Sequence, residues 1–410
     1  MSFRSNSLFQ LAVVVSALGF FVDVYDLLLF GIVRKPSLSA LGLSPEEVLT
    51  QGEWIISVQM MGLLTGGIVW GILGDKKGRL RVLFGSILLY SIANILNGLV
   101  QTIPQYVALR FVAGVGLAGE LGAGITLVSE LLPKEKRGIA SAMIASFGIL
   151  GAVTAFLLNT VFDWRTCYFI GGGLGLALLL LRVSVRESAL FAQMAQSEVS
   201  RGNFLMFFQK KERFLRYIRC ILIGLPAWYI IGVLATFSDQ FGKAFGIPDI
   251  DPARAIVSLY FAIAFGDLSV GLLAQRLRSR KKALFVFYGI AIFFTVLFFL
   301  QQGGSASNFY RICMGLGYGT GFTVVYITMS AEQFGTNLRS TVATSVPNFI
   351  RGTVVLMVPI FRFLRGELGG GDDGVIFGAL IVGVFTIAIA IIALGYIHET
   401  FGNDMNFLEE

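Results

Sequence analysis

An all-α integral membrane protein is the fold class that the sequence predicts, with twelve transmembrane helices in two pseudo-symmetric six-helix halves. Three observations carry this. Of the 410 residues, 55% are hydrophobic and only 14% charged, and the mean hydropathy is +0.77, whereas a soluble domain runs at about 45–50% apolar and about 25% charged. The apolar residues fall in twelve blocks of spanning length, since about 20 helical residues cross a bilayer. A pattern in the first half of the chain also recurs at an offset of about 200 residues in the second.

These proportions exclude a soluble enzyme and leave no room for a separate catalytic or nucleic-acid-binding domain. The net charge of +7 and the isoelectric point near 9.3 read as cytoplasmic loops facing anionic membrane lipid, so no nucleic-acid partner is expected. Cys167, Cys220 and Cys313 lie in or beside apolar stretches without a C-x-x-C pair, and His398 is the one histidine. Neither a metal site, a disulfide framework nor a cofactor is expected.

The chain begins MSFRSNSLFQ and runs into an apolar segment that holds two aspartates and lacks a small-residue cleavage site. It reads as a retained first span over 9–33. Charged or Pro/Gly turns separate the following blocks and predict spans at 52–74, 81–102, 104–127, 138–160, 165–185, 215–240, 253–275, 283–301, 308–330, 341–363 and 374–397. Lys and Arg concentrate in the connections after the second, fourth, sixth and eighth spans, as in Lys76, Lys77, Arg79 and Arg81, while alternate connections carry Glu46, Glu47, Asp249, Asp251, Asp372 and Asp373. The positive-inside rule then places both termini in the cytoplasm. The longest polar stretch divides the chain into an N-terminal half, 1–190, a cytoplasmic linker, 191–214, and a C-terminal half, 215–410.

The repeat is legible in the fourth and tenth spans. Arg110-x-x-x-Gly114-x-Gly116 is followed by Glu130-x-x-Pro133-x-x-x-Arg137, and Arg311-x-x-x-Gly315-x-Gly317 by Glu332 and Arg339 at the same spacing. Parallel halves of six spans form the architecture of a rocking transporter.

Between the second and third spans the sequence Gly71-x-x-Gly74-Asp75-Lys76-Lys77-Gly78-Arg79 resembles the G-x-x-x-D-R/K-x-G-R/K signature of the major facilitator superfamily. Gly71 permits a close helix approach, Asp75 sits at a membrane edge and Gly78 lets the chain turn. The counterpart around Gly271 and Gln275 lacks the acid, so only the N-terminal copy is expected to act as a charge lock. Arg110 with its glycines, Glu130-x-x-Pro133-x-x-x-Arg137, Arg186-Glu187-Ser188 and Glu399-Thr400-x-Gly402 are similar to the sugar porter and metabolite:proton symporter branch. The first span, with Asp23, Tyr25 and Asp26, resembles that of phosphate and organic-acid:proton symporters, and the seventh lacks the paired glutamines of sugar porters. The resemblance implies alternating access around a central cavity lined by spans one, four, seven and ten, and gating roles for Gly71, Asp75, Gly78, Arg79, Glu130, Arg137, Glu332 and Arg339.

Charges inside the membrane cost about 2.5–3.5 kcal/mol each on insertion scales, so each needs a partner or a watery cavity. Counting about 1.5 Å per residue, Asp26 and Arg110 lie at matching depth in the N-terminal half and Asp267 and Arg351 in the C-terminal half, so each couple could pair. Asp26 reads either as a proton carrier released from Arg110 or as one end of a static ion pair, and Asp23, one turn away on the same face, could titrate in its place. Glu120 reads either as a second proton site or as a protonated acid hydrogen-bonded between glycine-rich helices. Arg351, after Asn348 on a helix that Pro347 is expected to break, reads either as a clamp for an anionic substrate or as the structural partner of Asp267. Tyr25, Trp228, Tyr229 and Tyr318 are candidates for substrate contact, with helix packing as the plainer alternative.

Together these readings predict a secondary transporter: a monomer in a bacterial inner membrane, taking up a small polar, anionic metabolite with protons. An exporter or facilitator of a neutral or zwitterionic solute is the rival within transport. A non-transporting sensor would need a larger soluble segment, and a membrane enzyme a nucleophile and base pair that the sequence lacks.

Overall fold

The structure, a computed structural model, describes residues 11–132, 134–183, 202–402 and 407–409, with the side chains of residues 12, 49, 129, 130, 134–139, 141 and 142 outside the description. Most of the expected linker and the side chains of Glu130 and Arg137 therefore lie outside the described residues. Among those described, twelve helices are long and apolar enough to cross a membrane: Val13–Ala40, Pro45–Lys77, Arg79–Asn97, Ile103–Val128, Met143–Val161, Trp164–Arg182, Lys211–Ala235, Pro252–Leu277, Arg280–Phe299, Ala306–Glu332, Arg339–Glu367 and Gly371–Tyr396.

Local chemistry sets several ends. Ser44 and Glu47 form a reciprocal capping box with Pro45 in the first turn of the second span, which satisfies N–H groups that an α-helix leaves open at its start. Asp163, Asp251 and Ser305 cap the sixth, eighth and tenth spans. Gly78 turns the chain from the second span into the third at φ 102°, a conformation that a side chain disfavours. The first span does not stop at 33 as expected, because the helix continues through Pro36 to Ala40 and so takes Arg34 inside.

Four spans are discontinuous. The fourth is divided at Ala118 and Gly119 and the tenth at Gly321 and Phe322, corresponding places in the two halves. The seventh passes into a π-helical turn over Ile230–Ala235. The eleventh runs unbroken through Pro347, with the Asn348 side-chain amide on the Thr344 carbonyl (2.7 Å), and is interrupted at Thr353 instead. The expectation of a break at Pro347 is thereby corrected.

The halves meet where the second span lies along the eleventh and the fifth along the eighth. Small residues bring the N-terminal half close to the eleventh span: a Cβ on Gly71 of the second span would stand 2.9 Å from Thr341 Cα, and one on Gly122 of the fourth would stand 2.4 Å from Thr344 Cα and 2.5 Å from the Ala343 carbonyl oxygen. This seam shuts the end of the bundle that carries the Asp75 signature. Gly122→Ala should therefore part the halves at that end, and a cysteine placed at Ser345, fully buried here, should gain reactivity toward a water-soluble maleimide. Equally slow labelling with and without the extra methyl group would show that the seam is not what holds this end shut.

Candidate functional site

Two of the buried ion pairs within the N-terminal half involve Asp26 and Glu120. Arg110 donates to Asp26 Oδ1 (3.3 and 3.4 Å) and also to Asn94 (2.6 Å) and Asn97 (3.3 Å), and its guanidinium lies 4.9 Å from the centre of the Tyr168 ring. Every partner belongs to the same half. Glu120 lies at the start of the second segment of the fourth span and is ion-paired with Arg182, whose Nη1 stands 2.9 Å from Oε2 and also donates to the Leu83 carbonyl (3.0 Å). Gly19 leaves the room for that pair, because a Cβ there would collide with both side chains.

A third pair crosses between the halves. Arg351 Nη2 of the eleventh span stands 3.6 Å from Asp23 Oδ2 of the first. Both Asp23 oxygens are buried without a hydrogen-bond partner, so the contact is an ion pair beyond hydrogen-bond length. Arg351 also leans on Asn348 Oδ1 (3.5 Å), and the Asn348 amide crosses to the Ala118 carbonyl at the break of the fourth span (2.8 Å). Here a side chain of one half satisfies a backbone group that the broken helix of the other leaves open.

One turn beyond Asp23 and Arg351, Leu27 and Val354 begin a cavity between the halves that extends past Gln59 and Trp228 to Arg34 and Glu53, with a volume of about 70 Å³. Glu53 is ion-paired with Arg362 across the mouth. A space of this size holds a handful of water molecules, at roughly 10–15 Å³ each, so a solute enters only when the halves part.

At the opposite end, Asp75 accepts from the Ser340 N–H (3.1 Å), the Thr341 N–H (2.8 Å) and the Thr341 hydroxyl (2.6 Å) at the start of the eleventh span, and Arg79 Nη2 stands 3.5 Å away. A carboxylate at a helix N-terminus meets open N–H groups and the positive end of the helix dipole. Arg339, fully buried, opens that helix. Glu332 is held by Arg280 (2.6 and 2.7 Å) and Thr400 (2.7 Å). Beside it, burial disfavours the charge on Glu399, yet the Ser279 hydroxyl and the N–H groups of Arg280, Phe401 and Lys281 hold its carboxyl below the usual carboxylate range.

Several expectations change. Arg351 pairs with Asp23, not Asp267. The Asp267 carboxylate instead accepts from the Val324 N–H (3.3 Å), capping the helix segment that restarts after the break in the tenth span. Tyr25 donates to the Cys167 carbonyl and Tyr229 to the Ala379 carbonyl, each at 2.8 Å, while Tyr318 stacks on Phe287 at 5.6 Å. These three tyrosines pack helix on helix and do not line the cavity. The reason is helical phase: 23, 27, 31 and 34 share one face of the first span, and 25 points elsewhere. Trp228 does line the cavity. Glu120 lies against Arg182, a partner that neither reading of it had included. Sequence reasoning missed Arg182 and Arg34, both at the ends of spans where a basic residue reads as a flank.

The Major Facilitator Superfamily matches residues 11–350. The chain belongs to this superfamily. It is 25% identical over 403 residues to the cis,cis-muconate transport protein of Acinetobacter baylyi, which covers 95% of this chain and 94% of that one. It is 26% identical over 351 residues to the 3-(3-hydroxy-phenyl)propionate transporter of Escherichia coli, covering 83% and 84%. The solved structure of the proton:xylose symporter XylE shares the fold, with a TM-score of 0.74 at 15% identity over 96% of this chain and 97% of that one. The protein is thus an integral membrane transporter and not an enzyme.

The Glu120 and Arg182 pair is a test of how this transporter holds its N-terminal half together. Glu120→Gln strands a buried guanidinium and should destabilise the protein by about 3–5 kcal/mol, whereas Glu120→Gln with Arg182→Gln should recover most of the loss. Thermal unfolding in detergent reads both, and single variants as stable as the parent would show that the pair is dispensable to the fold.

Proposed function

We propose that the protein is a proton-coupled importer of a small organic carboxylate, a monomer in a bacterial inner membrane with both termini in the cytoplasm. Its two rocking bodies are residues 1–190 and 215–410, joined by 191–214. On this reading the Asp75 end is cytoplasmic, the structure is closed on that side, and the cavity past Trp228 opens to the outside.

The observation that carries the proposal is the pair between the halves. Asp26 and Arg110 sit inside one rigid body, and their partners Asn94 and Asn97 travel with them, so rocking leaves that pair unchanged. Asp23 and Arg351 sit on opposite bodies, one turn below the cavity floor, joined at 3.6 Å with both Asp23 oxygens short of a hydrogen bond. A substrate carboxylate reaching the floor offers Arg351 a closer, two-point contact. Asp23, displaced and without a counter-charge in a low-dielectric site, binds a proton. Substrate and proton then neutralise the two charges together, the halves are no longer tied at their centre, and the seam along Gly71 and Gly122 can open. Asp75, Gly78 and Arg79 latch that seam between cycles. The names of two relatives support the substrate class, since muconate and hydroxyphenylpropionate are both carboxylates.

Asp23→Asn should still exchange substrate across a membrane but lose accumulation driven by an imposed pH gradient. Arg351→Gln should weaken carboxylate binding by about ten- to a hundredfold, the worth of one charge-assisted hydrogen bond of about 1.5–3 kcal/mol. Proteoliposomes loaded at one pH and diluted into another provide the assay. Gradient-driven accumulation that survives in Asp23→Asn would overturn the assignment of the coupling proton, and in that case a facilitator with purely structural charges becomes the better reading.

A further inference from the structure

The first span presents a cation to the cavity beyond the Asp23 and Arg351 pair. Arg34 stands eleven residues beyond Asp23 on the same helix face, lines the cavity with Trp228 and is only 5% exposed. Gly52 lets its stem lie close against the second span, since a Cβ there would come within 2.5 Å of Arg34 Cδ. The guanidinium is thereby held in place.

What distinguishes Arg34 from the other buried basic groups around the cavity is the state of its charge. Among the described residues no carboxylate lies within ion-pair distance of its guanidinium, and Nε is buried without a hydrogen-bond acceptor. The neighbouring charges are already engaged or distant. Glu53 is tied to Arg362, Arg365 donates to Gln240 (2.5 Å), and Asp239 acts on Arg34 only from beyond ion-pair distance. A buried charge without a partner destabilises the protein that carries it. A neutral side chain would pack here more favourably unless an anion comes to this place during the working cycle.

We infer that Arg34 forms a first docking subsite for the solute, in which its guanidinium takes the carboxylate. This rests on the reading that the solute is an organic carboxylate. The subsite is separate from the floor: eleven residues of helix put Arg34 about 16 Å from the level of Asp23 and Arg351, too far for one small acid to hold both guanidinium groups. The solute is handed from Arg34 to Arg351, and the outer station selects anions before the inner one exchanges the proton. A guanidinium with a rigid donor fork suits a two-point carboxylate contact better than an ammonium.

The test uses the full chain in lipid nanodiscs and proteoliposomes, with Arg34→Gln, Arg34→Lys and Arg351→Gln, and with cis,cis-muconate and 3-(3-hydroxyphenyl)propionate and their amides as probes. Without any probe, Arg34→Gln should unfold at a temperature no lower than the parent, because it removes an unpaired charge. It should raise the half-saturating concentration of the carboxylates about tenfold, one contact's worth, with partial rescue in Arg34→Lys. A markedly lower unfolding temperature in Arg34→Gln would overturn the inference by making Arg34 structural. Carboxylate uptake that depends on Arg351 but not on Arg34 would overturn the inference alone and leave the proposed function standing. A parent protein that takes the amides as readily as the acids would overturn both.

Discussion

Everything in this bundle that does more than span a bilayer depends on one constraint: a charge taken into the membrane must be answered by an opposite charge, by backbone dipoles or by a ligand. Five buried acids meet it in three ways. Asp26 and Glu120 each find an arginine within their own half, which ties helices of that half together. Asp75 and Asp267 find the open N–H groups of a helix start, the first across the interface and the second within its own half. Asp23 finds Arg351 on the other half, at a distance that leaves both its oxygens unsatisfied. The least satisfied of these contacts, like that of Asp75, crosses between the halves and is strained by their relative movement.

The same division explains where the backbone is regular and where it is interrupted. Helices buried on several sides can be broken only where another group answers the freed carbonyls and N–H groups. The break at Ala118 is answered by Asn348 from the opposite half and the break at Gly321 by Asp267 from the eighth span. Small residues such as Gly71 and Gly122 let the halves approach until such contacts form, so the seam and the polar bonds across it hold or open together.

Much of the architecture was legible in the sequence because hydropathy and length are one-dimensional properties. Twelve spans and the repeat of the fourth in the tenth follow from them directly. Depth is nearly one-dimensional as well, and counting residues from the span ends brought Asp26 to the level of Arg110. Azimuth is not, and there the reading failed: Asp267 and Asp23 both lie at a level Arg351 could reach, and only the packing of the halves shows which faces it. The same loss of phase made cavity residues of Tyr25 and Tyr229, whose hydroxyls serve neighbouring helices. Arg34 was hidden by a boundary, since the first span was expected to end at 33, whereas the helix continues through Pro36, a proline that a membrane helix tolerates when neighbours satisfy the freed groups. Arg182, near the end of the sixth span, was not singled out, and it reaches inward to Glu120.

The central claim is that the substrate's carboxylate and a proton trade places around Arg351 and Asp23, and counting protons tests it most directly. In weakly buffered solution, mixing purified protein with a transported carboxylate should draw one proton from the medium per solute bound, read by a pH indicator. Asp26→Asn should take up the same proton, because its carboxylate stays out of the exchange, and Asp23→Asn should bind solute and take up none. Binding without proton uptake in the parent, or undiminished uptake in Asp23→Asn, would contradict the account.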